Sequence, residues 1–522
     1  MTETKKNSFV KGALILVVAN LIVKVIGGAF KIPLTWLIGD DGMGLFNSAY
    51  SLYAMMFTIA TSGFPIAISK MVAESLAKGS ERETKRIFTI SLIVLGILGA
   101  LGAAVLYFGA HTIALSIKNT RAETCIMAIS PAVLFVAISC AFRGYFQGKQ
   151  NMLPTALSNI MEALGKLVIG YIAAFFLLRW GIELASAGAI YGVAFGTALS
   201  ALLLFGIFLW EKKKKQKTHI NGKEITHRSY LSLAKQLFII AIPITLGASV
   251  QSITSVIDTF SITSRLQLIP GITSTIANTM YGAYITKAVT IFGIPLGIIV
   301  ALSVTIVPNI ASSLAEGNED NARHAAGQAL RITSLFAMPC AVGVWALATP
   351  ILQTLYGVSN VPAYAPTLLQ TISLSIFFAS LLSISSAILQ AYSKMYYPVI
   401  FMIIGGFIKF AINWIYIPNM NIFAAPISTN ICYFVIIALN LTALAKFVKI
   451  KYDLSATIIK PLIACCALAL AGIGSYSFLS PHLGIRISCL AAIIFAAIAY
   501  LLVLYLVKGI TKDDIKLIKR TN

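Results

Sequence analysis

Apolar residues run in long blocks along nearly the whole chain, and polar residues are confined to short intervals between them. Blocks long enough to cross a bilayer, which takes about 20 residues, fall near 10–32, 43–68, 87–109, 122–142, 155–178, 185–210, 236–258, 278–306, 330–349, 367–390, 397–417, 422–445, 461–478 and 484–507. The pattern predicts an all-α polytopic membrane protein of fourteen transmembrane helices. Gly, Pro and polar residues interrupt the second, fourth and eighth blocks. The first block follows Lys5 and Lys6, is too long for a signal-peptide core and has no small-residue cleavage site behind it, so it reads as the first membrane helix.

Composition removes other classes. Charged residues make up 11% and hydrophobic ones 58% of the 522 residues, against roughly 25% charged in a soluble domain. In a soluble protein the net charge of +22 would suggest nucleic acid. Here the positives lie between apolar blocks, where they set topology and meet anionic lipid headgroups, so membrane lipids are expected as partners and nucleic acid is not. With the N-terminus inside, 30 of the 40 Lys and Arg fall in cytoplasmic segments, 6 fall outside, and Lys24, Lys166, Lys287 and Lys409 remain within spans. That bias predicts both termini on the cytoplasmic side of a bacterial cell membrane. The seven cysteines sit in or beside apolar blocks without metal spacing, so they read as packing residues.

The polar segment from Glu211 holds Lys212 to Lys215 and divides the chain after six blocks. The expected domains are an N-terminal lobe (1–210), a basic cytoplasmic linker (211–235), a C-terminal lobe (236–450), and two extra helices with a tail (451–522). The lobes echo one another. Ser75-Leu-Ala-Lys-Gly-Ser-Glu-Arg-Glu83 matches Ser313-Leu-Ala-Glu-Gly-Asn-Glu-Asp-Asn321, and Phe64-Pro65 to Ser69 parallels Val307-Pro308 to Ser312. Gln147, Lys149, Pro154 and Lys166 are echoed by Gln390, Lys394, Pro398 and Lys409. Lys166 and Lys409 then occupy equivalent places in two six-helix lobes of one orientation, related by a pseudo-twofold axis along the membrane normal. Such an architecture suits a rocker-switch transporter with its site between the lobes.

Ionisable side chains inside a membrane cost about 2.5–3.5 kcal/mol each on insertion scales, so they are the first candidates for function. Lys24 and Lys31 are seven residues apart and share a helix face, with Gly27-Gly28 and Pro33 offering places to bend. Lys166 follows Glu162 by four residues, the spacing of a local ion pair, so it is read either as half of that pair or as a ligand. Lys409, Lys287 and Arg265 complete the cationic candidates. Glu162, Asp258 and Asp40 are the acids near spans, as ion-pair partners or as ligands of a coupling sodium or proton; no metal site or cofactor is assigned. A cavity richer in cations than in acids selects an anion. No HExxH, GxSxG or P-loop is present, and the five histidines are isolated, so no enzyme is expected.

Three stretches carry a family likeness: Lys24-x-x-Gly27-x-x-x-Lys31-Ile-Pro33, Ile38-Gly-Asp-Asp-Gly-Met-Gly-Leu45 and Phe64-Pro-Ile-Ala-Ile-Ser-Lys70. With Tyr281-Gly to Lys287, Pro295-Leu-Gly297 and Thr305 to Pro308, the chain resembles the polysaccharide-transporter branch of the multidrug/oligosaccharidyl-lipid/polysaccharide (MOP) exporter superfamily. Within that branch it looks like the stage V sporulation protein B group and the MurJ-type lipid II flippases. The resemblance implies two lobes in a MATE/MurJ-like V and a cationic cavity for the pyrophosphate and sugar of an undecaprenyl-linked precursor. It also implies a groove for the lipid tail at the two extra helices. Lys24 and Lys31 match the basic pair on helix 1, and Lys287 falls near a basic position of helix 8. Asn47, Tyr50 and Tyr53 stand where the family has a basic helix 2, and lysine replaces arginine on helix 1, which removes bidentate phosphate binding.

The expected function is alternating-access flipping of an undecaprenyl-pyrophosphate-linked saccharide, such as the peptidoglycan precursor lipid II, from the inner to the outer leaflet. Two other readings stand beside it: a multidrug or cation exporter of the same superfamily, and a non-transporting membrane partner of cell-wall synthesis enzymes.

Overall fold

Apolar blocks of this length have one stable form in lipid, the helix, because it satisfies every backbone polar group within the segment. The computed structural model describes residues 3–215, 228–297, 310, 312–314, 316–450 and 455–509. Val307, Pro308, residues 216–227 of the basic linker and the C-terminal lysines beyond Lys508 lie outside these residues. In chain order the helices are α1 (Glu3–Ser62), α2 (Phe64–Ala77), α3 (Glu81–Phe108), α4 (Ala110–Ser116), α5 (Glu123–Gly148), α6 (Leu153–Leu177), α7 (Ile182–Lys215), α8 (Tyr230–Ala248), α9 (Val250–Leu266) and α10 (Ser274–Ala283). They continue as α11 (Glu319–Ala346), α12 (Ala348–Tyr356), α13 (Ala365–Ala391), α14 (Tyr396–Met420), α15 (Ala424–Phe447) and α16 (Lys460–Leu506).

Nine helical stretches are long and apolar enough to cross a membrane among the described residues, and three of them run 52 to 60 residues. Each of those three is more than twice what one crossing needs and breaks inside: at Gly39 (φ 64°), at Asn421 (φ 58°) and at Gly484 (φ 71°). Counted as two crossings each they make twelve, and the shorter apolar helix Tyr230–Thr245 adds one. The expected block 278–306 runs into residues 298–309, outside the described residues. Large apolar side chains stay exposed along the helices, among them Val105 and Phe108 on α3 and Leu470 and Phe478 on α16. Water does not tolerate apolar surface on that scale, and lipid does; the chain is a multi-pass membrane protein.

The internal repeat is written into the local geometry. α2 ends in a turn where Ser80 N–H bonds Ser75 O (3.1 Å) and Gly79 takes φ 74°; before α11, Asn318 N–H bonds Ser313 O (2.9 Å) and Gly317 takes φ 76°. Ser80 Oγ then caps Glu83 N, and Asn318 Oδ1 caps Asn321 N. The helices that follow, α3 and α11, are each 28 residues long, and each leads to a short helix, α4 or α12. Later, α6 and α14 are each 25 residues and each ends in a three-residue 3-10 turn, Leu178–Trp180 and Asn421–Phe423.

Packing divides the chain into two compact units, residues 1–282 and 283–522. In the first, Phe30, Phe46, Ile68 and Met71 pack with Ile129, Val136 and Ile190. Helices α6 and α7 touch through glycine: a Cβ on Gly165 would fall 2.6 Å from Gly196 Cα, and one on Gly192 would fall 2.2 Å from Gly170 Cα. Small residues are how membrane helices approach closely. In the second, Ile384 and Ile388 pack with Ile437 and Leu444, and α16 adds Cys465, Leu468 and Tyr500 against Met338.

Candidate functional site

An aromatic ladder organises the first unit. After the break at Gly39, α1 presents Phe46, Tyr50, Tyr53 and Phe57 at spacings of three and four residues, so they stack along one face. Their ring centroids lie 5.4–5.7 Å apart in sequence, and Phe30, before the break, lies 5.8 Å from Phe46. Two lysines converge on this ladder. Lys166 on α6 sets Nζ 5.0 Å from the Tyr50 ring centroid and 5.3 Å from that of Phe30, and it donates to Tyr50 Oη at 3.5 Å. Lys31 sets Nζ 5.9 Å from the same Tyr50 ring. Both are half-buried. Cation–π contact lowers the cost of holding a lysine there without cancelling its charge.

Glu162 does not form the local pair that its spacing from Lys166 allows. Its Oε2 accepts from Arg143 Nη2 at 2.9 Å, and its Oε1 accepts from Tyr53 Oη at 3.5 Å. The sequence reading ended the span at 142 and counted Arg143 as a cytoplasmic charge; the structure carries the helix past it. Arg143 lies inside α5, 5% exposed, and also donates to Ser158 Oγ and Ser200 Oγ, each at 3.1 Å. With three partners on α6 and α7 the guanidinium is satisfied, so the helix continues past it to Gly148.

The other candidates are distributed as follows. Lys24 is exposed on α1, which runs unbroken past Gly27, Gly28 and Pro33 and breaks at Gly39 instead of the expected bend. Asp40 follows that break, half-buried; its neighbour Asp41 is held by Arg121 through two bonds of 3.1 and 2.9 Å and accepts from Asn278 Nδ2 at 2.6 Å. Asp258 was expected to end a helix and instead sits inside α9, 4% exposed, one residue before Thr259. Thr259 Oγ1 joins Ser51 Oγ (2.7 Å) and Tyr281 Oη (2.8 Å) in a chain of hydroxyls. Arg265 occupies the last turn of α9. In the second unit, Lys287 is 1% exposed in a π-helical turn, Tyr284–Val289, with Nζ 5.7 Å from the Tyr356 ring, and Lys409 is 2% exposed on α14. Lys166 and Lys409 are each the fourteenth residue of a 25-residue helix. Within the first unit the structure thus brings Lys31 and Lys166 together. Arg143 and Tyr53 join them as participants that intramembrane spacing alone did not single out.

Residues 9–314 match the family described as Polysaccharide biosynthesis protein, and residues 280–415 match the family described as MatE. The chain is 26% identical over 524 residues to stage V sporulation protein B of Bacillus subtilis (strain 168), covering 98% of both chains. It is 26% identical over 442 residues to the lipid II flippase MurJ of the same organism, covering 82% of this chain and 80% of that one. Among solved structures it is similar to lipid II flippase MurJ in an inward closed conformation (TM-score 0.65, 15% identity, 94% of this chain and 98% of that one). It is also similar to a multidrug resistance MATE family transporter of the MOP superfamily in an inward-facing conformation (TM-score 0.64, 14% identity, 84% and 99%).

Proposed function

This chain belongs to the polysaccharide biosynthesis protein family, and from that premise we propose that it is a flippase for a lipid-linked saccharide whose carrier is joined through pyrophosphate. The observation that carries the reading is the meeting of Lys31 and Lys166 over Tyr50 while the nearby acid, Glu162, is engaged by Arg143. A pyrophosphate offers two adjacent anionic groups, and two ammonium groups flanking a phenol match that chemistry as point charges. Aromatic faces beside them suit the apolar face of a sugar ring. The similarity to MurJ supports the peptidoglycan precursor lipid II as the substrate. Lys24, Lys287, Lys409 and Arg265 are further cationic candidates in this reading. Movement of a net anion outward is favoured by an inside-negative potential, by about 2.3 kcal/mol per charge per 100 mV.

The test is translocation of a fluorescent lipid-linked saccharide in proteoliposomes, comparing wild type with Lys31→Ala and Lys166→Ala. Loss of one charge-assisted contact, about 1.5–3 kcal/mol, slows transport by at least about tenfold in each variant. Undiminished rates in both would remove the two lysines from the transport path.

A further inference from the structure

The transport reading gives Arg143 and Glu162 no contact with substrate, yet they form an enclosed ion pair, with side chains 7% and 19% exposed. We propose that Arg143 is a positioning residue, which holds the Glu162 carboxylate away from Lys166 so that Lys166 keeps an unneutralised charge for an anionic headgroup. The proposal rests on the anion-carrier reading and deepens it.

The argument begins with helix geometry. Glu at i and Lys at i+4 is the favoured orientation of a helical ion pair, so α6 carries a built-in means of neutralising Lys166. In the structure that pair is not made. Glu162 faces Arg143 and Tyr53, and Lys166 faces Tyr50 and Phe30. Arginine suits the task because it stays charged when buried and its planar fork binds several acceptors at once. Here one fork reaches Ser158 and Glu162 on α6 and Ser200 on α7. The register of the two positions is itself fixed from α7, since Gly196 leaves no room for a Cβ against Glu162 O (2.5 Å) and Lys166 N (3.0 Å).

The second unit supplies an internal control. At the same offset of 243 that relates Lys166 to Lys409, Glu162 corresponds to Gly405 and Arg143 to Ser386. The lysine there has no acid one turn before it, and the arginine is absent too. The slot is bridged by neutral groups, with Asn440 Nδ2 donating to Ser385 Oγ at 3.0 Å and Ser386 Oγ at 2.9 Å. The arginine accompanies the acid. An enclosed carboxylate stripped of its arginine is costly, and the nearest cation on its own helix is Lys166.

The experiment measures binding of undecaprenyl pyrophosphate to the purified full-length protein in detergent, with undecaprenol as the uncharged control. Arg143→Gln is expected to weaken binding by at least about tenfold, the loss of one charge-assisted contact, matching Lys166→Ala. The double variant R143Q/E162Q is expected to regain most of that loss, because no carboxylate remains to divert the lysine. Arg143→Lys keeps a cation facing Glu162 and is expected to bind like wild type. Should R143Q not fold, S158A/S200A loosens the arginine without stranding a charge; it is expected to weaken binding, and adding E162Q to restore it. Wild-type binding by R143Q, or a double variant as weak as R143Q, overturns the positioning role. Equal binding of undecaprenyl pyrophosphate and undecaprenol by the wild type overturns the anion-carrier reading instead.

Discussion

Arg121 shows how much one side chain can organise at a helix break. It grips Asp41 with two parallel bonds and reaches Glu183 through Nε at 2.7 Å. Asp41 in turn receives Asn278, whose Oδ1 accepts from Asn119 at 2.7 Å. The Asp41 arm is the more covered of the two and the one expected to matter, since Glu183 is about half exposed. Arg121→Lys keeps the charge and loses the fork, so it should lower stability by about 1–2 kcal/mol. That is read as a fall in thermal midpoint in detergent, with Arg121→Ala falling further. A lysine variant as stable as wild type would show that the geometry contributes nothing. Little of this was legible in the sequence. Asp40 and Asp41 are adjacent, and which one meets Arg121 depends on the helix phase set by the turn at Gly39. Arg143 was misplaced for a related reason: an arginine at the end of an apolar block looks like a loop residue until its partners on two other helices are known. Lys166 stood out because a basic residue deep in an apolar block needs no partner to be noticed.

At the scale of elements, the turns before α3 and α11 were the most legible part of the chain. Their Ser-Leu-Ala-x-Gly runs and acidic tails are local chemistry: a glycine at positive φ, then a capping residue, then acids at a helix N-terminus. Ser80→Ala and Asn318→Ala are each expected to cost about 1 kcal/mol of stability, seen as falls in thermal midpoint. Ser80, the more buried cap, should cost the more. Unequal effects in the opposite order would break the functional equivalence of the two turns. The bend of the first helix was less legible. Gly27-Gly28 and Pro33 looked like hinges, yet the helix passes through them and turns at Gly39, where φ of 64° is one that glycine adopts at little cost. Composition marks where a helix is able to break, and packing selects among those places.

For the whole molecule, setting aside Arg143 as a buried, ion-paired group leaves twenty-nine Lys and Arg in the segments expected to be cytoplasmic, against six outside. The bias survives, and it predicts which turns face which side. In whole cells, a cysteine placed at Lys118 is expected to react with a membrane-impermeant thiol reagent from outside. One placed at Lys78 is expected to react only after the membrane is opened. The native cysteines are removed first; five of the seven are buried. The reverse pattern would invert the topology and with it the direction of transport.

The glycine contacts between α6 and α7 have a mechanical consequence. Two rods that touch backbone to backbone at two points, Gly165 on Gly196 and Gly192 on Gly170, have no play between them. Neither can slide or twist alone without driving main chain into main chain. The Lys166 backbone is therefore held by both helices at once, so a displacement of either helix is expected to move the pair as one arm. On the proposed reading, a headgroup held by Lys166 travels with that arm.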